Sequence, residues 1–250
     1  MHATGGGARW RRALALAGLV LLAGCGSDGA ASRPSDSMMT PRGSTTTAVR
    51  DLRRHWPDLE AGERYGIDVS NHQGAIDWPA VAADDIEFAY LKATEGGDHV
   101  DARFAANWDA ARAAGLERGA YHYFTFCRSG AEQAANFLRT VPADAGAMPP
   151  ALDLEIAGNC DRRPTREEMA AEVADYLAAV ESGTGQSAVL YVGRDFAEAY
   201  PGIPVGDRLR WVQHVHRRPP ADDWWLWQAT VVARVDGIDG HVDLDVQTAG

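Results

Sequence analysis

Asp153 and Glu155 stand two residues apart in Pro149-Pro150-Ala151-Leu152-Asp153-Leu154-Glu155-Ile156, an apolar run behind a double proline. A run of that composition reads as a buried strand, and a buried strand normally excludes acids. Residues i and i+2 of a strand project to the same face, so the two carboxyl groups leave the backbone side by side, roughly 6–7 Å apart. Two carboxylates in one pocket do not ionise independently, and burial and repulsion separate them into an acid and a base. That pairing is the usual apparatus for cutting glycosidic bonds. On the tripeptide alone, two surface acids on a half-exposed strand are an equal alternative, because D-x-E recurs by chance.

The surrounding chain supplies a scaffold for such a pair. From residue 65 onward, strand-like runs at 65–70, 86–93, 118–126, 150–156 and 188–192 alternate with helical patterns at 101–114, 129–139 and 165–181. Thr165 followed by Glu168 fits a capping box, and Gly115 and Gly183 fit C-terminal caps. Strand–helix alternation with short loops predicts a parallel sheet, most commonly closed as a barrel. The rhythm then changes: runs at 209–215, 224–229 and 241–246 read as strands with no helix of ten or more residues between them. The pattern is therefore about five strand–helix units followed by three strands, an α/β barrel of modified TIM type. In such a barrel, functional groups gather at the C-terminal ends of the strands. Asp68 falls near the end of the first strand, Asp153 and Glu155 near the end of the fourth, and Asp243 within the last, so four acids converge on one mouth.

The N-terminus belongs to a different class of sequence. Arg9, Arg11 and Arg12 precede an apolar stretch, residues 13–23, that is too short to span a bilayer. Leu22-Ala23-Gly24-Cys25 resembles a bacterial lipobox, which makes residues 1–24 a signal peptide and Cys25 the acylated residue of an exported, lipid-anchored envelope protein facing the periplasm or the cell surface. An ordinary secretory signal is the alternative. Residues 25–62, rich in Ser, Thr, Gly, Pro and Arg, read as a flexible tether reaching roughly 30–35 Å, ahead of one catalytic domain at 63–250. Removing residues 1–24 takes three arginines and no acid, so the net charge of −11 becomes −14. Such a balance argues against nucleic acid or anionic lipid as a partner. With Cys25 lipidated, Cys127 and Cys160 remain as a candidate disulfide in an oxidising compartment, two free buried thiols being the alternative.

Tyr65, Tyr90, Tyr121, Tyr123, Tyr191, Trp211, Trp225 and Trp227 fall in the strand-like runs, where aromatic faces serve either core packing or sugar rings. Together with the acids they bring out a family likeness. Asp68-Val69-Ser70-Asn71-His72-Gln73-Gly74 with Ile76-Asp77-Trp78 resembles the opening of the family 25 glycoside hydrolases, the Chalaropsis-type lysozymes. Leu91-Lys92-Ala93-Thr94-Glu95-Gly96, Gly119-Ala120-Tyr121-His122-Tyr123-Phe124, the Asp153–Glu155 strand, Trp227-Gln228 and Gly237-Ile238-Asp239-Gly240-His241-Val242-Asp243 follow in the family's order. The likeness covers about residues 65–247. It departs at Leu244-Asp245, where the family often places Asn, and at Trp211-Val212-Gln213-His214, a loose match.

The resemblance implies a (β/α)5β3 barrel that cleaves the β-1,4 bond between N-acetylmuramic acid and N-acetylglucosamine in peptidoglycan, with retention. It implies Glu155 as general acid and base, Asp153 facing the substrate's N-acetyl group, and Asp68 and Asp243 raising the Glu155 pKa by repulsion. The nucleophile, the acetamido group or a carboxylate, is left open. Tyr121, Tyr191, Trp227, Gln228 and Lys92 are the expected substrate contacts. No cofactor is expected, and a monomer is. A non-catalytic glycan-binding lipoprotein is the alternative from another class. A metal-dependent deacetylase is the weaker one: His72, His122, His214 and His216 invite zinc, but the H-x-H pair His214 and His216 lacks a third ligand at motif spacing, and His72 and His122 read as hydrogen-bonding groups of the pocket or core. The arginine pairs Arg162-Arg163 and Arg217-Arg218 read as solvated surface.

Overall fold

The computed structural model describes residues 56–203, 206–215, 217–220 and 224–248. Cys25 and most of the expected tether therefore lie outside the described residues. The ordered strands are β1 (Arg64–Val69), β2 (Ile86–Glu95), β3 (His99–Val100), β4 (Glu117–Tyr123), β5 (Ala151–Leu154), β6 (Val189–Val192), β7 (Arg210–Gln213), β8 (Leu226–Ala233) and β9 (Val242–Gln247). The helices are α1 (Trp78–Ala83), α2 (Phe104–Ala113), α3 (Gly130–Thr140), α4 (Arg166–Thr184) and α5 (Arg194–Ala199). Strands pair in the order β1-β9-β8-β7-β6-β5-β4-β2, and β1 pairs with β2 to close the barrel; β3 is a two-residue hairpin partner of β2. Pairings from β1 through β8 are parallel, and β9 is antiparallel to both β8 and β1. One helix follows each of the first five barrel strands, β1, β2, β4, β5 and β6, and among the described residues none lies between β7, β8 and β9: this is the (β/α)5β3 arrangement.

Two short helices escaped the sequence pattern. α1 has six residues, capped by the Asp77 carboxylate, which accepts from Ala80 N at 3.3 Å; α5 also has six, too few for helical periodicity to register. α4 begins where the Thr165–Glu168 capping box places it, but it runs through Gly183 to Thr184. Its left-handed terminating residue is Gly185, at φ 73°, a conformation that costs glycine little.

Alternation along each strand separates two apolar layers. Ile67, Leu91, Ala120, Leu152, Leu154 and Leu190 face outward against the buried sides of α2, α3 and α4, for example Trp108, Phe137 and Tyr176. Phe88, Tyr90, Ala151, Val189, Trp211 and Leu226 fill the barrel itself. Tyr90 fits there because β4 offers Gly119: a Cβ at that position would fall 2.3 Å from the Tyr90 ring. The same inward column, continued toward the C-terminal ends, carries Asp68, Asp153 and Asp243.

Where no helix covers the barrel, the chain improvises. Trp227 points outward, buried with Val246, packed against Trp224 and donating from Nε1 to His214 O at 2.9 Å. Arg218 lies over both indoles and pairs with Glu63 at 2.5 Å and Glu60 at 3.3 Å, while also donating to Asp58 O. The Tyr65 hydroxyl donates to Pro57 O at 2.5 Å. Residues 56–62, expected in the tether, are thus fastened to the barrel, and Arg218 is a clamp rather than a solvated surface charge.

Cys127 and Cys160 form a disulfide that joins the segments after β4 and β5 across a separation of 33 residues. Closing a loop of that size stabilises the fold by about 3–4 kcal/mol in the chain-entropy account. A Cys127→Ser/Cys160→Ser double variant should therefore unfold with a loss of about 3 kcal/mol, read from denaturant midpoints at unchanged slope. Wild-type protein in reductant should shift the same way, and equal midpoints in all three would refute the contribution.

Candidate active site

The inward acids meet at the C-terminal mouth of the barrel. A cavity of about 300 Å³ opens there, walled by Asp68, Asp153, Glu155, Asp243, Gln228 and the aromatic rings of Tyr121, Tyr123, Tyr191 and Trp211. β5 ends at Leu154, so Asp153 is its last inward side chain and Glu155 stands one residue beyond, at the rim. Asp153 is in register with Tyr123 of β4 and Tyr191 of β6, which frame it on both sides. Antiparallel pairing of β9 with β1 sets Asp243 opposite Asp68.

Gln228 on β8 connects these groups. Its Nε2 donates to Asp68 Oδ2 at 2.9 Å and to Asp243 Oδ2 at 3.3 Å. Its Oε1 accepts from the Tyr191 hydroxyl at 3.2 Å and from Gln213 Nε2 at 2.8 Å. Tyr191 is also within hydrogen-bonding reach of Glu155. Asp153 differs from its neighbours: its Oδ1 is buried and meets no donor. A buried acceptor left bare costs about 1–3 kcal/mol, a deficit that a bound ligand can remove.

Burial is the first cause of every shift at this site. It pushes the Asp153 carboxyl well above the ordinary range, followed by the charges of Glu155 and Asp68. Burial also raises Glu155, a Tyr191 hydrogen bond opposes it, and the charge of Asp195 raises it further while Lys92 lowers it. Asp243 is pushed up to about 6 by burial and by Glu155. The pair Asp153–Glu155 thus holds a proton at pH values where free carboxyls have lost theirs. Asp195 adds its negative charge to the group, and the mutual repulsion between Glu155 and the acids Asp68 and Asp243 is felt as a rise of both of those carboxyls.

Sequence reasoning overlooked three residues here. Asp195, in the first turn of α5, accepts from Ala157 N at 3.1 Å and so braces the loop that follows Glu155. Asn159 ties that loop to the one after β4: its Nδ2 donates to Phe124 O and Glu155 O, and its Oδ1 accepts from Phe126 N and Cys160 N. Gln213 buttresses Gln228. The three are polar residues in a helix's first turn, in a loop and at a strand end, where no hydrophobic period marks them.

Among the expected substrate contacts, Tyr121, Tyr191 and Gln228 line the cavity. Lys92 stands nearby, paired with Glu95 at 2.7 Å and lying 5.0 Å over the Tyr123 ring. Trp227 does not reach the cavity, because β8 alternation turns it outward while Gln228 points in. The histidines have other employment. His122 is buried between Thr94 Oγ1 at 2.7 Å and Gln133 Oε1 at 3.1 Å, and burial lowers its pKa to about 3. His72 meets Ser70 Oγ, and His214 turns Nδ1 to Arg217 O. His216 lies outside the described residues. Among the described residues no group of three His, Cys, Asp or Glu is placed to hold a metal ion.

Comparison with known proteins gives a consistent picture. The profile of the glycosyl hydrolases family 25 matches residues 67–238. YegX of Escherichia coli K12, an uncharacterised protein, is 39% identical over 190 residues, 73% of this chain and 68% of that one. Lysozyme M1 of Streptomyces globisporus is 33% identical over 192 residues, 71% of this chain and 65% of that one. Among solved structures, a family 25 glycosyl hydrolase from Bacillus anthracis superposes with a TM-score of 0.71 at 31% identity, covering 78% of this chain and 93% of the other. A bacterial lysozyme from Streptomyces coelicolor does so with a TM-score of 0.67 at 30% identity, over 76% and 94%. The (β/α)5β3 barrel with paired acids at its mouth belongs to glycosyl hydrolase family 25, and the chain is a glycoside hydrolase of the lysozyme type.

Proposed function

We propose that the enzyme hydrolyses the β-1,4 bond between N-acetylmuramic acid and N-acetylglucosamine in peptidoglycan with retention, Glu155 serving as general acid and then as general base. The observation that carries the reading is the bare Asp153 Oδ1 beside a raised Glu155. A 2-acetamido sugar offers an N–H donor one bond from the ring, which is the complement a buried lone acceptor lacks. With that N–H in place, ionised Asp153 is stabilised, and repulsion keeps the pair's proton on Glu155. Glu155 stands at the rim, where it reaches the glycosidic oxygen, and its proton passes to the departing sugar as positive charge grows at the other. The acids Asp153, Asp68 and Asp243 offset that charge. Tyr121, Tyr123, Tyr191 and Trp211 supply apolar faces for the rings. An acidic site of this kind favours a sugar chain over a polyanion.

Mass spectrometry of digested peptidoglycan should find muramic acid at the new reducing ends; glucosamine there, anhydro-muramic ends or released acetate would overturn the assignment. Glu155→Gln should fold normally and lose roughly 10²–10⁴-fold in kcat. Asp153→Asn, which removes only the charge-assisted contact, should lose roughly 10–100-fold, and full activity in either variant sinks the scheme.

The pH profile gives a signed test. Glu155 must be protonated to act, and its folded pKa is raised, so activity persists above the ordinary carboxylate range and falls as pH rises through the raised value. Asp195→Asn removes a negative neighbour, so the alkaline limb of kcat/KM should move to lower pH. Lys92→Met removes a positive one, so that limb should move to higher pH. Each displacement should be roughly half a unit, the size expected of a partly screened charge. Shifts of one sign in both variants would contradict the arrangement.

The same reading extends to location: an exported protein lipid-anchored at Cys25 and acting on peptidoglycan from a tether. Cell fractionation checks this, since a Cys25→Ser variant should leave the membrane fraction, and its retention there would remove the anchor from the scheme.

A further inference from the structure

Strand β9 presents two inward acids. Asp243 lies at the mouth, and Asp245 lies one inward layer deeper, in register with Gly66 of β1 and Gln228 of β8. Asp245 is fully buried, at 0% exposure. Its Oδ1 accepts from Trp211 Nε1 of β7 at 2.9 Å. Its Oδ2 meets no N–H or O–H donor from any strand. What the Asp245 carboxyl does meet is the carboxyl of Asp68, within hydrogen-bonding reach.

The other groups around Asp245 do not relieve it. Gln228 of β8 spends its Nε2 on Asp68 and Asp243. The Tyr90 hydroxyl of β2 donates to Pro149 O at 2.9 Å. Asp243, on the same strand, adds a like charge. Arg64, the cation on β1, is paired with Glu117 at 2.7 Å and bonded to Gln247. An ionised carboxylate with one donor, no cation and no water-facing surface is costly. Two carboxyl groups in contact form a hydrogen bond only when one of them carries a proton.

Each carboxyl accepts one N–H, Asp68 from Gln228 and Asp245 from Trp211, so position decides which one. Asp68 lines the cavity, where its charge is solvated, whereas Asp245 is fully buried with an Oδ2 that accepts nothing. We propose that Asp245 is a protonated carboxylic acid whose Oδ2–H donates to Asp68, making it a neutral positioning residue that holds Asp68 ionised and oriented at the cavity wall. One proton is shared and one negative charge remains on the pair, spread toward Asp68, where Gln228 and Asp245 both donate. Burial pushes both carboxyls well above the ordinary range, in keeping with a retained proton. A neutral acid in this position does what a carboxamide would do: one oxygen accepts from Trp211 while the other atom donates to Asp68.

The kinetic part of the test rests on the muramidase reading; the spectroscopic part does not. In infrared spectra of the wild-type enzyme at neutral pH, isotope labelling of aspartate should reveal a protonated-carboxyl C=O band that Asp245→Asn abolishes. Absence of such a band overturns the proposal even if wall hydrolysis proceeds. Loss of hydrolysis by the wild type overturns the muramidase reading and leaves the band in place. In kinetics, Asp245→Asn keeps a neutral donor, so kcat/KM should stay within about three-fold of wild type and the alkaline limb should not move. If Asp245 were ionised, removing its charge would lower the pKa values of Asp68, Asp243 and Glu155 and carry that limb to lower pH; a displacement of roughly half a unit overturns the proposal. Asp245→Ala, folded by circular dichroism, removes the donor and should lose roughly ten- to hundred-fold in kcat with KM little changed. Equal activity in the Asn and Ala variants overturns the positioning role.

Discussion

Like charge collected in a space of low dielectric is the constraint on which this molecule turns. Asp68, Asp153, Glu155, Asp243 and Asp245 all project into one barrel, with Lys92 as the cation whose charge reaches Asp153 and Glu155. Five ionised carboxylates in that volume would repel one another by more than a domain's marginal stability can absorb. The barrel survives by retaining protons and by placing neutral donors between the acids. Gln228 is the clearest example, because one carboxamide bridges two carboxylates while its oxygen is pinned by Tyr191 and Gln213. Trp211 does the same lower down, for Asp245.

The departure from eightfold regularity follows from the same requirement. A parallel last strand would present its inward residues to the mouth in the same sense as every other strand. An antiparallel β9 instead brings Asp243 directly across from Asp68 and sets Asp245 beneath them. The cost is a side of the barrel without helices. Trp224, Trp227 and Val246 cover it, with Arg218 stacked over the indoles and holding residues 58–63 against the wall. An outward tryptophan that resembled a substrate contact is therefore part of the substitute for a missing helix.

The strands and the acids were legible because both follow rules of period. Alternation named the strands to within a few residues and put Asp153 and Glu155 on one face; a strand's inward residues near its C-terminal end could then be read as site candidates. What escaped had no period. α1 and α5 are single short segments, and Asp195 and Asn159 act through backbone groups of loops whose shapes no pattern encodes. Trp227 was misjudged because a motif gives residue identity without the parity of the strand, and one step of register separates it from Gln228. Asp245 was visible only as a departure from the family pattern; its meaning required seeing which oxygen lacks a donor.

Burial alone does not assign the catalytic roles. Asp153 is the deeper of the pair and is raised well above the ordinary range, so by desolvation it competes with Glu155 for the proton in the empty site. Position argues the other way: Glu155 is at the rim beside Tyr191, and Asp153 has an oxygen that nothing among the described residues satisfies. A ligand that brings an N–H to Asp153 changes the balance, because a hydrogen bond to the charged form lowers a carboxyl pKa while the new anion raises its neighbour's. In the mechanism we propose, the acid is then armed by the substrate rather than by the resting enzyme. Sugars lacking the 2-acetamido group would bind the same walls and leave the proton on the wrong carboxyl, so discrimination would fall on kcat more than on KM.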